Sequence, residues 1–378
     1  MSAGACEACL ARMALLGRLA PYIERIATGE PGSRAPELLK LGDEQLARAV
    51  AADKAGPLLD EVRAHGAGPI QQRIAEAGGW TVCRHDDAFP EGLCDAPDRP
   101  AALFGLGDRA RLASLVRERT VTVVGARRAT SYGREVAGSL ARDLASAGFT
   151  VVSGMAWGID GAAHRGALEG GTTVAVLGCG ADVPYPRHHR GQHRRIRERG
   201  LVLSELPPGT TPWKWAFPAR NRIMAGIAAM TVVVEAARHS GSLITAELAA
   251  DLGRLVGAVP GPVGARMSAG TNQLLFDGAH VVREAQDVLD VLIGPGAPRI
   301  ATTGPALEPE LEKVLERVER GDTDPDSIAI ALDRSAAEIS VALVRLELLG
   351  YLEAGLSGTY SRTSLAAPDR VPPITPPT

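Results

Sequence analysis

The chain is poor in lysine and in aromatic residues, and it has no long apolar run. Lysine supplies four of the 41 basic residues, and Phe, Trp and Tyr together make up 4% of the 378 residues. No apolar stretch reaches the roughly 18–20 residues that a membrane helix requires, and no charged-then-apolar signal opens the sequence. We therefore expect a cytoplasmic protein that makes no membrane contact.

Cysteine is scarce too, and its spacing excludes several classes of protein. The five cysteines are an odd, scattered set, which argues against a secreted disulfide framework. Cys6 and Cys9 have the spacing of half a zinc site, but no second close pair of cysteines follows and no histidine stands at zinc-finger spacing. The Gly-x-x-x-x-Gly-Lys-Ser/Thr motif is absent as well. The sequence therefore predicts no metal site, no cofactor and no intrinsic ATPase activity.

Charge is distributed unevenly along the chain, although the formal net charge is only −3. Residues 121–290 carry 18 basic and 14 acidic side chains, whereas residues 1–120 carry 15 and 17, and residues 291–378 carry 8 and 13. The central segment alone has a positive balance. A polyanionic partner should therefore prefer this part of the chain.

The central segment has the pattern of a parallel sheet. Short β-branched runs alternate there with helical stretches, which is typical of a sheet covered by helices on both faces. We predict an α/β fold whose extended Rossmann-like core spans residues 81–291, with residues 81–119 forming a connector. Strands are expected at 121–125, 150–153, 172–177, 201–204, 230–235 and 255–259, with a final strand within 276–282.

Helical patterns precede the core. Leu10, Met13, Leu16 and Leu19 recur at helical spacing and form one apolar stripe. Residues 1–80 are therefore predicted to form a helical N-terminal domain, of the SAM or helix-hairpin-helix kind.

The part of the chain after the core begins with a Gly- and Pro-rich linker, predicted at residues 292–307. Three short helical patterns and a two-stranded hairpin follow over residues 308–365, which is a winged-helix pattern. Residues 308–362 carry 12 acidic and six basic side chains, so a protein partner is favoured over DNA for this domain. Promoter binding by the domain is the alternative. Residues 366–378 are predicted to be a disordered tail.

Glycine and polar residues follow the predicted strands, at the sheet edge where α/β folds bind ligands. Glycine-bearing turns that open helices leave backbone N–H groups without partners, and such groups attract phosphate. Arginine can reinforce these contacts in a bidentate manner. The residues predicted to bind nucleic acid are Gly125, Arg127, Ser131, Gly154, Gly158, Arg187, His189, Arg190, Arg220, Asn221, Arg222, Ser240, Gly241 and Ser242.

The densest charge run of the sequence follows the third predicted strand. Six arginines lie between Arg187 and Arg199, and Glu198 is the single opposing charge. A solvated helix face is the alternative, but the position at the ligand edge of the sheet favours nucleic acid. Bases of a single strand can stack on aromatic side chains. Core packing is the alternative role for the nearby candidates, which are Tyr185, Trp213, Trp215 and Phe217.

Two further residues are candidates for catalysis. No nucleophile is recognisably paired with His164, so a structural role is favoured for that histidine. Glu235 precedes a glycine-bearing loop, an arrangement similar to that of Rossmann-fold enzymes that cleave nucleoside monophosphates. A nucleotide-processing enzyme of this glycosidase-like kind is therefore the alternative to a non-catalytic binding protein.

Six motifs occur in order over roughly residues 85–283. They are Gly125-Ala-Arg127…Ser131-Tyr-Gly133, Ser153-Gly-Met-Ala-x-Gly-Ile-Asp160, Gly178-Cys-Gly-x-Asp182…Tyr185-Pro186, Ser204-Glu205, Phe217-Pro-x-Arg-Asn-Arg-Ile223 and Ser240-Gly-Ser-Leu-Ile-Thr245…Pro260-Gly261. Together they resemble the DNA-processing protein A family (DprA, also called Smf). The resemblance implies a Rossmann core that binds single-stranded DNA, forms homodimers and loads the RecA recombinase onto incoming strands during natural transformation.

The resemblance also implies roles for particular residues. In the family, the arginine of the first motif and a basic residue after the Tyr-Pro pair hold the DNA strand, and these positions correspond to Arg127 and Arg187. The first motif usually reads Gly-Ser-Arg, whereas this chain has Ala126. His189 stands where the family often has asparagine. Family members are not known for catalysis, so the resemblance implies a protein that is not an enzyme.

Overall fold

The computed structural model describes residues 4–27, 35–294, 302–355, 358–362 and 365–366. They belong to two compact units, Met1–Ala297 and Pro298–Thr378. Residues 295–301 of the predicted linker and residues 367–378 of the predicted tail lie outside the described residues. No helix in the described part of the chain is both long enough and apolar enough to cross a membrane.

The first unit opens with helices. They are α1 (Glu7–Ala27), α2 (Ala35–Leu39), α3 (Asp43–Ala51), α4 (Ala55–His65) and α5 (Gly68–Glu76). The apolar stripe that the sequence places on α1 is buried along its length. This part of the chain is helical, as the sequence predicts.

One nine-stranded sheet forms the centre of the unit. Its strands are β1 (Trp80–Cys83), β2 (Ala102–Gly107), β3 (Thr120–Val124), β4 (Thr150–Ser153), β5 (Thr173–Val176), β6 (Leu201–Ser204), β7 (Met230–Val233), β8 (Leu255–Ala258) and β9 (His280–Val281). The spatial order is β1-β2-β6-β5-β4-β3-β7-β8-β9. The strands from β3 onward pair in parallel, with Val121 opposite Val151 on one side and Met230 on the other. The Rossmann-like sheet predicted from the sequence is thereby confirmed.

The helices between these strands are α6 (Ser131–Ser146), α7 (Ile159–Gly170), α8 (Arg190–Arg199), α9 (Ala216–Ile227), α10 (Gly241–Asp251) and α11 (Ala269–Phe276), and α12 (Ala285–Ile293) follows the last strand. β3 is followed along the chain by β4, β5 and β6 on one side, and the chain then returns to place β7 on the other side of β3. The order of the sheet thus reverses between β3 and β7. In sheets of this kind the carboxyl ends of the two strands at the reversal open a crevice.

Two strands lie where the sequence predicts a connector. β2 runs antiparallel to β6, with Phe104 opposite Ser204, and β1 runs antiparallel to β2. β2 has no alternation of polar and apolar residues because it is covered on both faces, and Gly105 and Gly107 weaken its strand signal. Gly105 is nevertheless required there, since a Cβ atom would lie 2.3 Å from the ring of Trp80.

The N-terminal helices do not form a separate compact unit but pack on the sheet and its helices. Leu16 and Leu19 of α1 share an apolar cluster with Trp215 and Ala216 at the start of α9. The indole N–H of Trp215 donates to the Ala20 carbonyl at 3.1 Å. Leu10 and Met13 belong to a second cluster that includes residues of β2. The helices are therefore part of the same folded body as the sheet.

The second unit contains β10 (Thr302–Thr303), α13 (Pro309–Glu319), α14 (Pro325–Leu332), α15 (Ala336–Leu348), β11 (Leu352–Ala354), β12 (Tyr360–Arg362) and β13 (Leu365–Ala366). β11 and β12 form an antiparallel pair after the three helices. A separate apolar core, in which Leu343, Leu346 and Tyr351 are fully buried, holds the unit together.

Candidate nucleic-acid interface

A groove of about 970 Å³ lies at the carboxyl ends of β3 and β7, where the order of the sheet reverses. This is the position at which open α/β sheets bind their ligands. The loops after β3, β4 and β7 and the first turns of α9 and α10 form its walls. Among the residues predicted from the sequence, those that line it are Gly125, Arg127, Arg220, Asn221, Ser240, Gly241 and Ser242.

Arg220 forms the buried base of the groove. One guanidinium nitrogen donates to the Gly154 carbonyl at 2.8 Å and also to the carbonyl of Val176, while Nε donates to Asn221 at 3.0 Å. The carboxylate of Asp160 lies 3.9 Å from its other terminal nitrogen. Burial lowers the pKa of Arg220 and raises the pKa of Asp160, and each charge offsets that shift in the other. Arg220 thus binds the ends of two neighbouring strands to each other.

Two glycines allow the loop after β4 to lie close to Arg220 and to the loop after β3. A Cβ atom at Gly154 would lie 2.0 Å from the Arg220 guanidinium. Gly158 has φ of +79°, and a Cβ atom there would lie 2.2 Å from the Ala126 carbonyl. Both positions therefore require glycine for close packing. Their role is to bring the loops after β3 and β4 together.

The cations at the rim of the groove are exposed and have no acidic partner. In the part of the chain that the structure describes, no carboxylate is within ion-pair distance of Arg127, Arg128, Arg238 or Arg266, all of which are exposed and line the groove. Asp160 is the one acidic residue among the lining residues, and it is buried beside Arg220. In the described part of the chain, the positive charge at the rim of the groove is therefore not neutralised by acidic side chains.

The first turn of α10 lines the groove and supplies backbone N–H donors to it. Ser240 stands at the N-cap with its side chain bonded to Ser242 at 2.8 Å rather than to the helix backbone. The Asn221 amide donates to the Gly241 carbonyl at 3.3 Å, which fixes this turn against α9. The first N–H groups of a helix have no partners within it and carry the positive end of the helix dipole. An anion in the groove would meet both these groups and the arginine rim.

Aromatic side chains connect the groove to the arginine-rich segment, which spans residues 187–199. The Arg127 guanidinium lies 5.4 Å from the centre of the Phe217 ring, and that ring lies 5.4 Å from Tyr185. Arg127 and Phe217 also line a smaller adjoining pocket, together with Tyr185 and Trp157. A continuous path of side chains thus runs from Arg127 to Tyr185, two residues before Arg187 along the chain.

The arginine-rich segment begins beside Trp157, whose side chain is 47% exposed. The Trp157 ring lies 4.8 Å from His189, and the His189 Nδ1 atom contacts the Met155 carbonyl at 3.0 Å. His189 is buried and packs against the ring of Trp157, whereas Arg187 and Arg190 are exposed. The cations of this segment therefore lie next to an exposed aromatic surface.

The N-terminus of α6, where the sequence predicts a phosphate site, is in contact with an acidic side chain of the protein itself. The Thr130 hydroxyl caps that helix by accepting from the Gly133 amide at 3.0 Å. The carboxylate of Glu235 accepts from the Thr130 amide at 2.9 Å. The protein's own anion thus occupies this end of the helix, and Ser131 lies outside the groove lining. Because Glu235 is buried in this contact, the structure does not favour it as a catalytic residue.

Arg222 is placed differently from its neighbour Arg220. It is 3% exposed, and its guanidinium forms ion pairs with Glu205 at 2.7 Å and with Asp98 at 3.3 Å. A buried arginine with two carboxylate partners holds the fold together and is not available to a ligand. Trp215 is buried against α1, and Trp213 is partly buried in the same apolar cluster, so both fit the alternative role of core packing rather than stacking with bases.

His164 is fully buried, and its Nδ1 atom lies 2.7 Å from the Thr173 hydroxyl. Burial, together with the nearby positive charge of Arg220, lowers the pKa of His164 to about 3. The imidazole is therefore neutral at physiological pH. This contact agrees with the structural role that the sequence favours for it.

Comparison with known proteins supports a common origin for this arrangement. The family model of DNA recombination-mediator protein A matches residues 80–293, which contain the whole sheet and the groove. A DNA processing protein DprA of Mycobacterium tuberculosis is 43% identical over 298 residues, 74% of this chain and 76% of that protein. The chain belongs to the DNA recombination-mediator protein A family.

Solved structures of family members share the fold. The X-ray structure of DprA from Streptococcus pneumoniae matches with a TM-score of 0.59 and 32% identity, covering 75% of this chain and 95% of that one. DprA from Helicobacter pylori matches with a TM-score of 0.51 and 30% identity over 57% of this chain and 95% of that one. The latter structure is described as showing a single-stranded DNA binding mode.

Sequence reasoning did not include several residues of the groove among its site residues. Arg128, Arg238, His239 and Arg266 line the same groove as Arg127. Arg238 and His239 directly precede the Ser240–Ser242 turn, so their place after a predicted strand was a usable signal. Arg266 lies five residues after the Pro260-Gly261 pair, and no sequence signal indicates that it reaches this groove.

Proposed function

We propose that this member of the family binds single-stranded DNA in the groove and loads a RecA-type recombinase onto the bound strand. The observation that carries the proposal is the path of side chains from Arg127 at the sheet reversal through Phe217 to Tyr185, two residues before the exposed Arg187. Phosphates would contact the arginine rim and the first turn of α10. Bases would stack on the exposed rings.

The combination of these groups favours a single strand over a duplex. Trp157 and Tyr185 expose 47% and 41% of their surface beside the arginines, and stacking on such rings requires bases that are not already paired. A site that reads the sequence of duplex DNA would need to present side chains to base edges in a groove of the helix. The aromatic path therefore matches an unpaired polynucleotide.

We predict that Arg127→Ala and Arg187→Ala each weaken the binding of an oligo-dT by about 10- to 100-fold, since each removes a charge-assisted contact with phosphate. The salt dependence should also become less steep, by about 0.7 in the slope of log K against log salt for each lost phosphate contact. Fluorescence anisotropy of a labelled oligonucleotide, titrated across a salt series, measures both effects.

Arg48→Ala is the matched control, because Arg48 lies on α3 with 76% of its side chain exposed and the substitution removes the same charge. It should leave the affinity and the salt slope nearly unchanged. Equal losses for Arg48→Ala and Arg127→Ala would mean that net charge, and not the groove, determines binding. Thermal melts of the variants should coincide with that of the wild type.

The recombinase-loading step rests on the family to which the chain belongs, and it can be separated from DNA binding. We expect the wild-type protein to accelerate assembly of RecA filaments on single strands that carry a single-strand-binding protein. Arg127→Ala should abolish this effect at concentrations that no longer saturate the DNA. If the wild type binds DNA but leaves the rate of filament assembly unchanged, loading is not its function.

We also propose that the protein acts as a homodimer through the open edge of the sheet. β9 is the last strand of the sheet, and Val281 in that strand is 52% exposed. Phe276, at the end of α11 and just before β9, is 88% exposed. An uncovered strand edge beside large apolar side chains readily pairs with a second copy of the same surface.

The dimer can be tested by placing a charge on this edge. Light scattering coupled to size-exclusion chromatography should give about twice the chain mass of 39.4 kDa for the wild type and a single chain mass for Phe276→Glu. Ile330→Glu, which changes an 83% exposed residue of the second unit, is the control and should stay dimeric. An unchanged mass for Phe276→Glu would place the interface elsewhere.

For the second unit we propose a protein partner rather than DNA. Four of the six basic residues within 308–362 are engaged in ion pairs, such as Arg334 with Glu310 and Arg345 with Glu308. On α15, Val341, Val344 and Leu348 are exposed at helical spacing, with 62%, 45% and 82% of their surface accessible. An acidic surface with an apolar helical face fits the groove of another protein better than a phosphate backbone.

A further inference from the structure

A cluster of three cysteines and one histidine lies far along the chain from the groove residues. Cys6 and Cys9 stand at the start of α1, and Cys83 and His85 stand at the end of β1. The four side-chain ligand atoms all lie within 4.8 Å of one another. No other cluster of this kind occurs in the part of the chain that the structure describes.

The distances within the cluster approach those of a tetrahedral metal site. The sulfur atoms of Cys6 and Cys9 each lie 3.4 Å from the Nδ1 atom of His85. Ligands that surround one zinc ion at about 2.0–2.3 Å are separated from each other by about 3.3–3.8 Å. A small inward movement of the thiol groups would therefore complete the coordination.

The backbone on both sides holds the four ligands in place. The Ala5 amide donates to the Thr81 hydroxyl at 3.0 Å, and the Cys6 amide lies 3.4 Å from the Cys83 sulfur. These contacts fix the start of α1 against the edge strand β1. Cys83 and His85 are two residues apart at the end of a strand, so their side chains can face the same side.

The electrostatics also suit thiolate ligands. Cys6 directly precedes α1, and its carbonyl accepts from the Leu10 amide at 3.0 Å, so the cluster lies at the positive end of the helix dipole.

We propose that Cys6, Cys9, Cys83 and His85 bind one structural zinc ion that fastens α1 to the edge of the sheet. Three thiolates and one imidazole are ligands that zinc prefers in closed, four-coordinate sites. Cys9 and Cys83 are buried in an apolar cluster with Leu10 and Phe104, which would shield the metal from water on that side. The site differs from the sequence expectation because Cys83-x-His85 supplies the second half that a search for cysteine pairs overlooks.

The competing interpretation is a redox-active pair. Cys6-x-x-Cys9 at a helix start, with one exposed thiol and one buried thiol, also matches a dithiol that forms a disulfide. Such a pair needs neither Cys83 nor His85. The presence of these two ligands within reach of both thiols favours the metal.

The first experiment measures zinc in the full-length protein. The chain should be purified under reducing conditions without a metal-affinity step, given an excess of zinc, and dialysed before elemental analysis. We expect about one zinc ion per chain, and tetrahedral thiolate absorption bands when cobalt(II) replaces zinc. Cys6→Ser and His85→Ala alter exposed ligands and should lose the metal while keeping the circular dichroism of the wild type.

Cys94→Ser is the control, because Cys94 is an exposed free cysteine outside the cluster, and this variant should retain the metal. A wild-type chain that holds no zinc and gives no cobalt thiolate bands would overturn the proposal. So would zinc content that is equal in Cys6→Ser and the wild type, or a Cys6–Cys9 disulfide as the stable form in reducing buffer. The cobalt spectrum of the wild type tests the proposal even if the variants fail to fold.

Discussion

The buried Arg220 guanidinium holds the carboxyl ends of β4 and β5 against α9, beside the groove. This side chain joins the carbonyls of Gly154 and Val176, which end neighbouring strands, and it lies beside the carboxylate of Asp160. A buried charge without partners would cost several kcal/mol, so the loops can adopt this arrangement only while all the contacts are present. The glycines at 154 and 158 follow from the same constraint, because any larger residue would separate the loops. The groove exists because these loops are held together.

The arginines of the core form two groups, which differ in whether a carboxylate lies near the guanidinium. Arg220 and Arg222 are two residues apart on α9, yet both are buried and both lie near acidic groups. The arginines at the rim of the groove are exposed and lack such partners in the described part of the chain. Exposed cations that are not neutralised within the protein are the ones that can release counterions from a polynucleotide. The same residue type thus builds the fold in one place and is available to the proposed ligand in another.

The sequence predicted those features that depend on local pattern. The strands from β3 to β8 are short β-branched runs, and their positions agree with the structure to within one or two residues. Strand β2 was missed because a fully buried strand with two glycines has no alternation to detect. The sequence also does not show which side chains contact each other in the fold. It therefore could not reveal that Glu235 contacts Thr130 or that Arg222 contacts Glu205. The zinc ligands illustrate the same limit, since Cys9 and Cys83 meet only through the packing of α1 on the sheet.

The most direct test of the account is to locate the bound strand by photocrosslinking. An oligo-dT that carries 4-thiothymidine, irradiated in complex with the full-length protein, marks the residues that touch its bases. We expect crosslinked peptides that contain Trp157, Tyr185 or Phe217, the aromatic rings that lie between Arg127 and the arginine-rich segment. Crosslinks confined to the solvated face of α8 or to the second unit, with none at these rings, would contradict it.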